Sequence, residues 1–208
     1  MSDKRGMAIG LATFAAASLA CAADASIVNF VSNPGLEGLG AFAGSMEWTY
    51  LGGNAGTLRV SLTNTSPVDN GGYLTGFAFN TAYELQVKVA ENGARTGWVD
   101  IFDIDANPLG TFDHGAAVGG NWLGGGSPLA GIGVGQTFDF VFDVRGDPAL
   151  VSNLIAHDFF DESEGWGFAA RFRGFNDDGS DKVTASMPAP GVLTALGFGA
   201  LNSRRRRR

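Results

Sequence analysis

The chain has 208 residues, and its 21 acidic residues outweigh 14 basic ones for a formal net charge of −7. That length suits a single domain with a sizeable core. One cysteine excludes an intramolecular disulfide framework, and the acid excess argues against nucleic acid or anionic lipid as a partner.

The N-terminus opens with Lys4 and Arg5, continues through an alanine-rich apolar run from Met7 to Leu19, and reaches Ala23-Asp24-Ala25 ahead of Ser26. A basic start, a short apolar stretch and a small-x-small site form the pattern of a secretory signal peptide, too short for an ordinary membrane anchor. Cleavage is expected between Ala25 and Ser26, with Ala20-Cys21-Ala22 as a second choice. Cys21 raises a lipoprotein alternative, but Ser18 stands where the leucine of a lipid-attachment box belongs. Without residues 1–25 and the terminal arginines, seven basic and nineteen acidic residues remain, a net charge of −12 with no cysteine.

The middle of the chain reads as β structure. Weak strands are predicted at 27–31 and 46–50. Residues 57–63 alternate polar and apolar, as a strand with one wet face should. Further strands are predicted at 73–80, 84–89, 98–104, 137–144 and 166–173. In the last of these Trp166, Phe168, Ala170 and Phe172 share the apolar face. Glycine- and asparagine-rich clusters at 52–54, 69–72, 91–93 and 176–179 supply the reversals. Residues 115–135, with nine glycines, read as a long loop or a loosely paired segment. One short helix is expected, with Asp147 as N-cap and Pro148 at its first position, running through Leu150, Leu154 and Ile155. Many short strands with frequent turns predict an all-β fold: two antiparallel sheets packed as a jelly-roll-like sandwich, with that one helix.

Candidate chemistry is sparse. His114 reads as an exposed loop histidine beside the glycine-rich stretch. His157-Asp158 with Asp161, Glu162 and Glu164 reads as a solvated acidic loop. No nucleophile-elbow, zinc-protease or triad pattern is present. On the 98–104 strand Asp103 and Asp105 would share a face about 7 Å apart, the arrangement a sandwich-fold glycosidase would need for paired carboxylates. With Asn107 they also form a D-x-D-x-N run, one candidate calcium loop. Asp177, Asp178 and Asp181 form the other. Calcium is the cofactor these two loops suggest, a calcium or zinc site is the alternative reading of the His157 cluster, and outward-facing acidic surface is the plainer reading of all three. Trp48, Tyr50, Tyr73, Trp98, Trp122 and Trp166 are candidates for a sugar platform. Trp122, inside the glycine-rich stretch, is the one expected to be exposed.

The C-terminus carries Pro188, Ala189, Pro190 and Gly191, an apolar run from Val192 to Leu201, and then Arg204, Arg205, Arg206, Arg207 and Arg208. This order resembles the PEP-CTERM sorting signal of Gram-negative bacteria, and is similar to the C-terminal domain named for ice-binding proteins. The first resemblance implies processing by a membrane-embedded exosortase-like enzyme and delivery to the cell surface or exopolysaccharide matrix. Two departures stand out. Ala189 replaces the acidic residue between the prolines, and ten apolar residues cover only about 15 Å of a hydrocarbon core about 30 Å thick. A transient anchor fits that length better than a stable span. An ice-binding array is not evident, since Thr63-Asn64-Thr65 is the one Thr-x-Thr. Asn64 to Asn80 also resembles a segment of other exported β proteins, which implies membership without an activity.

The expected layout is a signal peptide at 1–25, a β-sandwich at 26–186 and a sorting tail at 187–208. The expected function is that of a non-enzymatic surface or matrix protein whose partners are the export machinery, the exosortase-like enzyme and extracellular polysaccharide. A carbohydrate-binding module is the alternative, and a glycan hydrolase using Asp103 and Asp105 is a third.

Overall fold

The computed structural model describes residues 25–163 and 165–188. Ala23, Glu164, Ala189, Pro190, Gly191 and Arg204 to Arg208 lie outside the described residues, and with them most of the two terminal signals. Ala25 and Ser26 open the first strand, where Ser26 Oγ accepts a hydrogen bond from Ala156 N at 2.7 Å.

The fold is all-β and antiparallel. Its strands are β1 Ala25–Ser32, β2 Phe42–Gly52, β3 Ala55–Asn64, β4 Gly71–Phe79, β5 Gln86–Val89 and β6 Trp98–Asp105. After them come β7 Thr111–Val118, the two-residue β8 Ile132–Gly133, β9 Thr137–Arg145, β10 Phe168–Phe175 and β11 Ser180–Ser186. One layer runs β5-β9-β3-β2-β1 and the other β11-β10-β4-β7-β6, with β8 pairing β4. A two-residue ladder from β1 to β11 joins the layers along one side. The sandwich is therefore one nearly closed sheet, and its open seam lies between β5 and β6, the two ends of the strand order.

The alternation that defined the strands also fills the space between layers. Leu58, Val60 and Leu62 of β3 and Phe140, Phe142 and Val144 of β9 are buried, facing Phe77 and Phe168 of the opposite layer. Phenylalanine rings cross the gap at centroid distances of 4.6 Å for Phe30–Phe168 and 4.7 Å for Phe77–Phe140. On the outer face Arg59 and Asp139 of the neighbouring strands β3 and β9 meet at 2.5 Å.

A second, smaller apolar cluster lies outside the β4-β7-β6 layer. Trp122, Ile101, Ile104, Phe112, Ala117 and Ala169 belong to it. This explains why β7 escapes a reading by alternation: Gly115 to Val118 are buried in succession, covered by the main core on one face and this cluster on the other. Part of the expected 115–135 loop is thus strand. β11 escapes for a different reason, since its first buried residue is an aspartate.

The helix begins as expected. Asp147 Oδ1 accepts from Ala149 N at 2.9 Å, and Pro148 takes the first turn. This helix, α1 Pro148–Val151, stops before Leu154 and Ile155, which precede a 3-10 turn at Ala156–Phe159. Among the described residues no helix is long and apolar enough to cross a membrane.

Candidate functional site

The open seam holds a groove with a volume of about 870 Å³. Its walls come from the 80–85 segment before β5, from Phe102 and Asp103 of β6, from Asp113 and His114 of β7, and from the loop carrying Asp161, Ser163 and Trp166. A smaller hollow of about 490 Å³ shares Leu85, Phe102 and His114 with it and continues along the β5 side. Three large aromatic side chains stand open on the groove: Trp166 at 42% exposure, Tyr83 at 47% and Phe102 at 50%.

Asn80, the first residue after β4, organises this wall. Its Oδ1 accepts from Asp113 N at 3.1 Å, and its Nδ2 donates to Trp166 O at 3.0 Å. Its backbone N–H and C=O pair with Gly167 and Asp161. Asp113 Oδ2 in turn accepts from Thr81 N at 2.9 Å and Thr81 Oγ1 at 3.2 Å. Asp161 accepts from Ser163 N and Oγ. A wall tied at this many points presents its aromatic and polar groups in fixed positions, as a binding surface must.

His114 is not an exposed loop residue. It lies on β7, half-buried, with its ring 5.9 Å from Phe79 and 6.0 Å from Phe102, perpendicular to the latter. Its Nδ1 is buried and has no partner among the described residues. Burial lowers the imidazole pKa below its ordinary value, while the charges of Asp113 and Asp103 oppose the shift.

Several expectations are corrected here. Trp122 is buried at 6% exposure, packed in the outer cluster, because the glycine-rich loop folds it down onto Gly76 of β4. Trp166 is the exposed tryptophan instead. It precedes β10 rather than extending its apolar face, and Gly165 and Gly167 on either side are the sequence signal for that exit. The regular alternation that would set Asp103 beside Asp105 is interrupted, with Phe102 and Asp103 exposed in succession. Asp103 has φ of 48°, which breaks the strand's alternation and turns it to line the groove. Asp105 accepts from Asn107 N at 3.0 Å, and its charge acts on Lys182 of β11. The Ala106 and Asn107 carbonyls accept from the Lys182 ammonium, which places a positive charge beside the D-x-D-x-N run.

The second calcium candidate also dissolves. Asp181 is buried, and its carboxylate accepts four backbone N–H groups, from Glu37, Leu39, Gly40 and Lys182, at 2.8–3.0 Å. It clamps the 35–40 loop. Asp177 accepts from Gly179 N at the turn, where Asp178 takes φ of 61°. Asp158 accepts from Ile155 N, which absorbs part of the acidic loop into the 3-10 turn. Among the described residues no group of three or more histidine, cysteine or acidic side chains converges as a metal site.

Comparison with protein-family models, with curated proteins and with solved structures finds no match for this chain.

Proposed function

We propose that this chain is an exported bacterial surface or matrix protein whose β domain holds a neutral glycan in the seam groove. The observation that carries the reading is the gathering of Trp166, Tyr83 and Phe102, all exposed, around one groove that also offers Asp103, Asp113 and Asp161. Flat aromatic faces suit the C–H faces of sugar rings, and carboxylates and amides accept or donate to ring hydroxyls with fixed geometry. The carboxylates would repel an acidic glycan at this position, so a neutral one fits better. Export rests on the N-terminal pattern and on the PEP-CTERM-like tail, with the export machinery and an exosortase-like enzyme as partners. We assign the domain no catalytic step: of the two carboxylates that a glycosidase would pair here, Asp103 lines the groove and Asp105 does not.

The test is isothermal titration of the full chain with neutral oligosaccharides of the cello, xylo and galacto series. Saturable heat is expected with at least one series, and Trp166→Ala is expected to weaken it about tenfold or more, the equivalent of one stacking contact. No binding in any series, or binding indifferent to both Trp166→Ala and Tyr83→Ala, overturns the glycan reading. Export is tested separately by mass spectrometry of the protein's ends after expression in its host. A mature N-terminus at Ser26 is expected, whereas a cytoplasmic product that keeps Met1 rules it out.

A further inference from the structure

The outer face of the β11-β10-β4 layer carries a cationic cluster that forms no ion pair among the described residues. Arg171 and Arg173 project from β10 two residues apart, and Lys182 of β11 is the direct cross-strand partner of Arg171. Among the described residues the one ion pair is Arg59–Asp139, on the other layer. Arg171 makes no side-chain hydrogen bond to any described residue, and its Nε is buried without an acceptor, although the side chain as a whole is only half-buried. Arg173 Nη2 donates to Gly126 O at 2.9 Å, but its Nε is likewise buried and unmet. Trp122 Nε1 is a third buried donor with no partner, and its indole lies beside Gly76, the residue directly across from Arg171 on β4.

The backbone is shaped to hold this arrangement. The β4–β10 register shifts between Arg171 and Phe172, leaving Thr75 as the extra residue of a bulge whose hydroxyl donates to Arg171 O at 3.3 Å. Bulges re-aim neighbouring side chains. Like charges directly opposite on adjacent strands are destabilising, and buried donors without acceptors add to that cost. Burial and then Arg173 lower the Arg171 pKa. Burial and then Arg171 lower that of Lys182, with Asp105 opposing. In a domain this acidic, Arg171 and Arg173 have no carboxylate partner among the described residues, and Lys182 has only the charge of Asp105 and the Ala106 and Asn107 carbonyls beside it.

We propose that this face is an oxyanion site, separate from the seam groove, in which the Arg171 guanidinium, flanked by Arg173 and Lys182, binds a carboxylate, sulfate or phosphate group. The planar fork of Arg171 offers paired donors matched to two oxygens of such a group, which a lysine at that position would not.

The experiment titrates the full chain, at fixed ionic strength, with sodium sulfate, sodium phosphate and a galacturonate trisaccharide, with neutral galactotriose as control. Saturable heat is expected from at least one of the anions. Response to sulfate or phosphate identifies a free oxyanion as sufficient, and response to the trisaccharide alone identifies the carboxylate of an acidic glycan. Arg171→Met is expected to weaken binding about tenfold or more, with Arg171→Lys between it and the parent. In chloride Arg171→Met should melt no lower than the parent, since it removes a half-buried cation that no described carboxylate pairs. Trp166→Ala should leave anion affinity unchanged, which keeps this site distinct from the groove. The proposal is overturned by absence of saturable binding for all three anions, by equal affinity in Arg171→Met, or by loss of anion binding in Trp166→Ala.

Discussion

At the residue scale, a buried aspartate and a half-buried histidine decide more than any exposed side chain. Asp181 gives its two oxygens to four backbone donors. Asp181→Ala strands those donors in a buried place, and a single unmet donor costs about 1–3 kcal/mol. We expect a loss of about 3 kcal/mol or more in urea denaturation, a smaller loss for Asp181→Asn, and no recovery on adding calcium in either case. His114 makes a pH prediction. Its folded pKa is depressed, chiefly by burial, so the folded state binds its proton less readily than the unfolded state. The stability this contributes is full above the unfolded histidine value of about 6.5 and is lost as pH falls through that value toward the folded one. His114→Phe should flatten that part of the stability–pH curve. An unchanged acid-side slope would show that other groups set it. Arg59 and Asp139 by contrast are exposed on both sides, and their bridge should contribute under about 1 kcal/mol in a double-mutant cycle.

At the element scale, the neighbours of each strand set what it can tolerate. β7 lies between two apolar clusters, and at Gly115 a Cβ would come within 2.1 Å of Phe77 O on β4. Gly115→Val must push the two strands apart beside His114. We expect a drop of several degrees in Tm together with loss of groove binding. Trp122→Ala acts from the opposite face. Removing a buried tryptophan costs about 3–5 kcal/mol, so this variant should be strongly destabilised, whereas Trp166→Ala should change Tm little because Trp166 is exposed. Reversal of that order in thermal melts would contradict the placement of the two tryptophans. The 115–135 segment also shows how an element can hide. Its glycines mark turns and close approaches, and between them the chain still contributes a strand end, a 3-10 turn at Pro128–Ala130 and the β8 pair to β4.

At the scale of the whole molecule, one phenylalanine core spans both layers, and the first strand closes on the last. Neither layer has a core of its own on the inner face, so near-UV and far-UV signals should lose structure in one coincident transition. Because β1 must find β11, refolding should fall in the millisecond-to-second range typical of non-local β topologies. Separate transitions for the two signals would mean that one layer stands without the other.

What the sequence determined by itself is local and periodic. Alternation in 57–63 and 137–144 located β3 and β9 nearly to the residue, because a one-faced strand must repeat every second position. Asp147-Pro148 located the start of α1, because capping chemistry is local. The all-β class followed from many such segments. What only the tertiary structure decided depends on residues distant in the chain. β7 reads as loop until a second cluster covers its outer face. Trp122 and Trp166 exchange roles according to which loop folds back. Asp103 leaves the alternation because the strand kinks at the seam, and Asp181 loses its resemblance to a calcium ligand once the amides of residues 37–40 arrive. The groove and the cationic face share this origin. Each is assembled from strands and loops far apart in sequence, and no spacing within a single segment records their meeting.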